Sequence, residues 1–167
     1  MKNKLQIGIT GGIGSGKSLI CKIFARLSVP IYDADTRAKW LTNNDPEIKE
    51  AVINEFGNES FNESGLNREF ISGIVFKNKE RLEVLNAIIH PAVGRDYSNW
   101  VAQQTSDYVI KEAALMFESG SYKALDKIIT VSAPENIRLQ RVLKRDSFRS
   151  ADQVKSIIDK QLSEKER

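Results

Sequence analysis

Between Gly8 and Leu19 the chain reads GITGGIGSGKSL, five glycines in twelve residues. Glycine loses more backbone freedom on folding than any other residue, so such a stretch is retained only where side chains would obstruct the path of the backbone. Gly11, four residues, then Gly16-Lys17-Ser18 match the phosphate-loop spacing G-x-x-x-x-G-K-[ST], a motif that requires a strand before it and a helix after it. Leu5-Gln6-Ile7-Gly8-Ile9 has the length and character of a strand, and Ile20, Ile23, Phe24 and Leu27 recur at i, i+3, i+4 and i+7, predicting a helix packed through that stripe. In this context Gly12, Ile13, Gly14, Ser15, Gly16, Lys17, Ser18 and Leu19 are the candidate nucleotide-binding residues. Backbone N–H groups curl around phosphate oxygens and the helix N-terminus adds its positive end. Lys17 is placed to reach the β- and γ-phosphates, and the Ser18 hydroxyl to ligate Mg²⁺. The other reading, a glycine-rich turn with an incidental lysine, is disfavoured by the complete spacing in this setting.

A chain of 167 residues suits one domain with a genuine core, and 41% hydrophobic with 28% charged residues is ordinary for a soluble globular protein. The net charge of +3 fits an anionic small molecule but is too weak and dispersed to argue for nucleic acid or a membrane surface. Cys21 is the single cysteine, which excludes an internal disulfide, suits a reducing cytosol and, within the first helix, reads as packing more than reactivity. With no signal-peptide pattern and no run of membrane-spanning length, the expected location is cytoplasmic. Asn58-Glu59-Ser60 and Asn62-Glu63-Ser64 match the glycosylation acceptor pattern, but in a cytosolic chain they are turn residues.

Val29-Pro30-Ile31-Tyr32 predicts a second strand delivering Asp33 and Asp35 at its carboxyl end. Helical patterns then dominate to about Gln104, including Pro46 to Phe56 and Glu80 to His90, where Leu82, Leu85 and Ile89 share a face and Pro91 ends the helix. Tyr108-Val109-Ile110 and Lys127 to Val131 restore strand character, so the expected fold is α/β, a mostly parallel sheet with helices on both faces. Ligands of such sheets bind beyond the carboxyl ends of the strands. Two helix starts follow, Ser132-Ala133-Pro134-Glu135 and Ser150-Ala151-Asp152-Gln153, each with a candidate capping serine. Arg138, Arg141 and Arg145 project from one side of the first of these helices; such a face is either solvated or, next to a phosphate loop, a lid over the γ-phosphate.

TGGIGSGKS, YDADTRA, IIHPAV, EAALMFE and LQRVLKRD, in this order and at these separations, resemble the dephospho-coenzyme A kinase family from Leu5 onward. The phosphate loop alone specifies only a large superfamily; the Asp-Ala-Asp segment and the His-Pro pair are more selective. The resemblance implies a P-loop NTPase three-layer fold of one domain, with a helical substrate-binding insertion over about residues 36–105 and a helical lid over about 135–167. It implies ATP as phosphoryl donor, Mg²⁺, and dephospho-coenzyme A as the acceptor, phosphorylated at its ribose 3′-hydroxyl in the last step of coenzyme A biosynthesis. Arg141 and Arg145 then belong to the lid, Asp33 is the base, and Asp35, Arg37, His90, Leu115 and Glu118 are the substrate-binding set beside it. Ala114-Leu115-Met116 stands where relatives commonly carry Pro-Leu-Leu. Relatives also usually continue past the segment matching Gln161 to Arg167 into another strand and helix, whereas this chain stops while still reading as helix. The expectation is therefore a shortened sequence whose sheet edge is left unpaired.

Read from the residues alone, Asp33 is equally a strand terminator, a helix cap or a catalytic carboxylate. A ribose hydroxyl is a poor nucleophile without a base to accept its proton, and the resemblance selects the third role. His90 divides evenly between a helix-terminal role and a substrate contact. Glu112 follows the third strand where an acidic Mg²⁺ partner is expected, acting directly or through water. Trp40 and Trp100 read as packing of the helical insertion, with an aromatic face near the adenine or pantetheine as the alternative. A nucleotide switch is the main competing class, with a kinase of another small metabolite beside it. A guanine-reading Asn-Lys-x-Asp segment is missing, and the large insertion suits a second substrate better than a switch loop. The reading favours a monomer.

Overall fold

The computed structural model describes residues 4–76 and 78–167. In chain order the elements are β1 (Leu5–Thr10), α1 (Lys17–Arg26), β2 (Ile31–Asp33), α2 (Ala34–Asn44), α3 (Pro46–Phe56), β3 (Phe61–Asn62), β4 (Gly65–Leu66), α4 (Arg68–Val75), α5 (Lys79–Gln103), β5 (Tyr108–Glu112), β6 (Lys127–Thr130), α6 (Glu135–Arg145) and α7 (Ala151–Asp159). They divide into two compact units, one formed by residues 1–33 and 104–167, the other by residues 34–103.

The first unit is built on a parallel sheet of order β2-β5-β1-β6. Parallel neighbours cannot be joined by a hairpin, so every connection crosses over and all four strands end on one side. The central strands carry the buried run expected of such a sheet: Ile9, Val109 and Ile110 are fully buried. Ile9, Cys21, Val29 and Ile110 form its core with Ile7, Ile20 and Phe24 against them. Here α1 departs from the predicted stripe. Ile20 and Phe24 face the sheet, but Ile23 and Leu27 are half exposed or more, and Cys21 supplies the buried contact instead. A helix lying on a sheet touches it through a face narrower than a four-residue stripe. A second cluster, Val142, Val154 and Ile158 with Ile13, Leu139 and Leu143, joins α6 to α7.

The capping serine expected at Ser132 is not the start of α6, whose N-cap is Pro134 without a side-chain bond. Ser150 does cap α7, in a reciprocal box with Gln153. The helix ends at Asp159 rather than running to Arg167. Ser163 and Glu166 explain the stop: the Ser163 N–H donates to the Glu166 carboxylate and the Glu166 N–H returns to Ser163 Oγ, a helix-start arrangement that opens a new turn.

The second unit packs α2, α3, α4 and α5 around Leu41, Ile48, Val52, Phe56, Ile71, Leu85 and Tyr97. Asp45 accepts from the N–H groups of Glu47 and Ile48, with Pro46 at the first helical position, and so starts α3 where its sequence indicates. Asn58 and Asn62 belong to a one-turn helix and the β3–β4 hairpin, where Asn62 accepts from Ser64. Pro91 does not end a helix. It lies inside the 25-residue α5, with Leu85 buried before it and Ala92, Val93 and Tyr97 after it. A proline in a helix interior costs about 3 kcal/mol, and burial on both sides of it offsets that. Of the tryptophans, Trp100 stacks on Tyr97 at 6.2 Å, while Trp40 is half exposed with the Arg37 guanidinium 4.5 Å from its ring centroid.

Candidate active site

Three adjacent strands deliver the site. Glu112 closes β5, paired in register with Ile9 on one side and Asp33, the last residue of β2, on the other; one residue beyond Ile9, β1 runs into the glycine loop. The two carboxylates thus stand side by side at the carboxyl edge of the sheet, the position from which α/β sheets bind ligands.

Glycine is obligatory at two points of the loop. A Cβ on Gly11, whose φ is +151°, would lie 2.2 Å from the Val131 carbonyl oxygen. One on Gly14, at φ +77°, would lie 2.5 Å from the Arg138 carbonyl oxygen, so the backbone of α6 rests directly on the loop. Gly16 starts α1 without a side-chain cap, its carbonyl accepting the Leu19 and Ile20 N–H groups at 3.0 and 3.2 Å, so the positive end of the helix faces the loop. Lys17 Nζ donates to the Gly11 carbonyl at 2.8 Å, folded back along the loop. Ser15 is buried, and its hydroxyl has no hydrogen-bond partner among the described residues.

Ser18 Oγ donates to Glu112 Oε1 at 2.9 Å. Two hard oxygens side by side suit Mg²⁺, which takes one or two protein ligands and completes its shell with water and phosphate oxygens. Among the described residues no group of three or more His, Cys, Asp or Glu forms a larger metal cage. One turn beyond Ser18, Cys21 meets the same carboxylate. Burial first, then the charge of Glu112 and its hydrogen bond, and the charge of Asp33 push the thiol from 9.0 up to about 12, against an opposing pull from Lys17.

The arginine face of α6 separates into three roles. Arg141 Nη1 donates to the Ser15 carbonyl at 3.2 Å and lies 3.4 Å from that of Gly14. Arg145 instead closes a bidentate pair with Asp146, at 2.7 and 2.9 Å, which raises the arginine and holds the aspartate below its ordinary range. Arg138, which the sequence marks only as part of the face, is buried against Gly12 and 3.7 Å from Glu164. Ile13 turns outward: its side chain joins the α6–α7 cluster and its N–H donates to Gln161 Oε1 at 2.9 Å. No local pattern marks Gln161, because its partner lies 148 residues away.

Of the residues the resemblance assigns to the acceptor, Leu115 is half exposed, whereas Glu118 accepts the Leu162 N–H at 3.2 Å. Asp35, Arg37 and His90 belong to the second unit, on α2 and α5. There Arg37 pairs with Asp96 through two bonds, at 2.5 and 3.0 Å.

With this geometry in view, the comparisons with known proteins agree. A dephospho-CoA kinase family model matches residues 5–167. The dephospho-CoA kinase of Porphyromonas gingivalis is 40% identical over 142 residues, covering 85% of this chain and 70% of that protein. The Fusobacterium nucleatum enzyme of the same name is 40% identical over 162 residues, covering 96% and 83%. Among solved structures, a Thermus thermophilus protein superposes with a TM-score of 0.88 at 32% identity, over 99% of this chain and 84% of that one. The Campylobacter jejuni dephospho-CoA kinase gives 0.61 at 28%, over 93% and 79%. The chain belongs to the dephospho-CoA kinase family.

Proposed function

We propose that this chain transfers the γ-phosphoryl group of ATP to the ribose 3′-hydroxyl of dephospho-CoA, giving CoA and ADP. Family membership names the reaction. The observation that carries its mechanism is the register of Asp33 beside Glu112, next to the strand that enters the glycine loop.

Phosphoryl transfer asks a protein mainly for positioning and for charge stabilisation. The loop from Gly12 to Leu19 holds the donor phosphates, Lys17 leaves the Gly11 carbonyl for the β/γ-phosphate oxygens, and Arg141 covers the loop from α6. Ser18 and Glu112 would hold Mg²⁺, which neutralises phosphate charge when bound. Asp33, exposed at the strand end, accepts the proton of the attacking hydroxyl. Acceptor recognition is assigned to Asp35, Arg37 and His90 of the second unit and to Leu115 and Glu118 of the first. For Arg145 to reach a phosphate, its pair with Asp146 must open. The same reading favours a cytoplasmic enzyme, and a monomer, acting on a small molecule.

The test is ATP turnover with and without dephospho-CoA, for the wild type and Asp33→Asn. Asparagine keeps the shape of aspartate but takes no proton. The variant should bind ATP normally and lose roughly 10²- to 10⁴-fold in kcat, the range for a general base. An acceptor lacking only its 3′-hydroxyl should bind and receive nothing. ATP hydrolysis independent of dephospho-CoA would overturn the function, and turnover by Asp33→Asn above about a tenth of the wild type would reduce Asp33 to positioning.

A further inference from the structure

The peptide group joining Gly12 to Ile13 is bonded at both ends. Its carbonyl accepts the Ser15 N–H at 3.1 Å, closing the first turn of the loop, and its N–H donates to the side-chain carbonyl of Gln161 at 2.9 Å. Gln161 is itself fixed just past α7, where its own N–H donates to the Ile158 carbonyl at 3.1 Å. Rotation of this plane turns ψ of Gly12, which has no Cβ to restrict it, together with φ of Ile13, whose branched side chain disfavours the positive region, and the plane's two hydrogen bonds act with that preference to hold it. The Ser15 bond alone restrains one end; a flip of the plane would break both bonds together.

We propose that Gln161 is a positioning residue for nucleotide binding: by accepting the Ile13 N–H it holds the Gly12–Ile13 peptide in one orientation and keeps the phosphate loop organised before the nucleotide arrives. Neighbouring contacts explain why this one matters. The Ile13 side chain is seated between α6 and α7, Arg138 backbone abuts Gly14, and Arg141 grips the carbonyls of Gly14 and Ser15. Among these contacts, the Gln161 bond alone engages the loop's first turn through an N–H. Organising a loop in advance removes ordering entropy from the binding step, so the effect falls on nucleotide affinity. The inference rests on reading this loop as the nucleotide phosphate site.

Two variants of nearly equal length separate positioning from packing. Gln161→Met keeps the bulk and removes the acceptor; Gln161→Glu keeps an acceptor at the same reach. Calorimetric titration with ADP and amide hydrogen exchange of peptides covering residues 11–16 are the readouts, with Lys17→Ala as a control. Loss of one neutral hydrogen bond predicts that Gln161→Met raises the Kd for ADP roughly three- to tenfold and speeds exchange in the loop. Gln161→Glu should restore the loop's protection, a readout that its charge near the nucleotide does not disturb. Wild-type ADP affinity and loop exchange in Gln161→Met, with or without a lower Tm, would overturn the proposal. So would protection in Gln161→Glu no better than in Gln161→Met. If Lys17→Ala binds ADP as the wild type does, the phosphate-loop reading fails and takes this inference with it, whereas a silent Gln161→Met beside a weakened Lys17→Ala overturns the Gln161 role alone.

Discussion

Gly14→Ala tests whether α6 is built onto the phosphate loop. Gly14 adopts φ +77°, and alanine in that region costs about 1–2 kcal/mol. The added Cβ would also stand 2.5 Å from the Arg138 carbonyl oxygen and 3.0 Å from its carbonyl carbon and Cα, all backbone atoms in the first turn of α6. Ordinary contact begins at 3.4 Å, so loop and helix must part by 0.9 Å at the oxygen. No rotamer relieves a clash with backbone, and α6 is held by the Val142–Val154–Ile158 cluster. Overpacking of this kind adds about 1–3 kcal/mol, for about 2–5 kcal/mol in all. Gly120→Ala supplies the reference. Gly120 has φ +71° with nothing within 4 Å of its would-be Cβ, so alanine there meets the backbone cost alone, about 1–2 kcal/mol. Urea unfolding of the two variants with unchanged m-values isolates the difference. Equal destabilisation at the two sites would refute the docking of α6 on the loop.

Lys17→Ala should abolish most turnover and raise the Kd for ATP while leaving Tm within a few degrees of the wild type, since the lysine is only partly buried and belongs to neither core cluster of its unit; near-normal activity in the folded variant contradicts the phosphate-loop role. Arg141→Ala should lower kcat more than it raises the KM for dephospho-CoA, and more than Arg145→Ala does, because Arg141 meets the loop whereas Arg145 is tied to Asp146; steady-state kinetics showing the reverse order would exchange their roles. Cys21, raised from 9.0 to about 12, should carry on the order of 10³-fold less thiolate near pH 8 than in the urea-unfolded chain, so iodoacetamide should label the native protein far more slowly. The folded state holds that proton more tightly, so stability should fall as pH rises from 9 toward 12, measured by urea midpoints; a native labelling rate within tenfold of the unfolded one argues against the buried contact with Glu112.

How far these contacts are legible in the sequence depends on how far apart the partners are. The strand, loop and helix around Lys17 form one uninterrupted stretch, and α3 announces itself by Asp45 and Pro46 at its start. Strand identity fixes the carboxyl edge, so Asp33 and Glu112 follow as strand ends once a parallel sheet is inferred. Periodicity cannot say which part of an apolar stripe is used, and α1 turns Cys21 to the core while Ile23 and Leu27 stay exposed. Nor does it weigh a proline against burial further along the chain, so α5 passes through Pro91. The three arginines of α6 are equivalent by spacing; only the loop beneath Arg138 and Arg141, and the adjacent Asp146, distinguish them.

That distinction bears on how a lid could work. A lid swinging as a whole from Ser132–Pro134 would have to pull the Arg138 backbone away from Gly14, withdraw Ile13 from the apolar cluster and break the Gln161 bond, and each of these steps deforms the phosphate loop itself. At the far end of α6 the constraint is different, because Arg145 is solvent-exposed and held by an ion pair with its own neighbour. Arg149 also pairs with Asp146, at 3.3 Å, so the carboxylate keeps a cationic partner when a phosphate draws Arg145 away. The Arg138–Arg141 end of the helix is packed on the loop, whereas the Arg145 end is not, so a closing movement over a nucleotide is expected at the Arg145 end. The sequence motif specifies which backbone binds phosphate; the rigidity that makes such a glycine-rich backbone usable comes from α6 and α7, more than a hundred residues further along the chain.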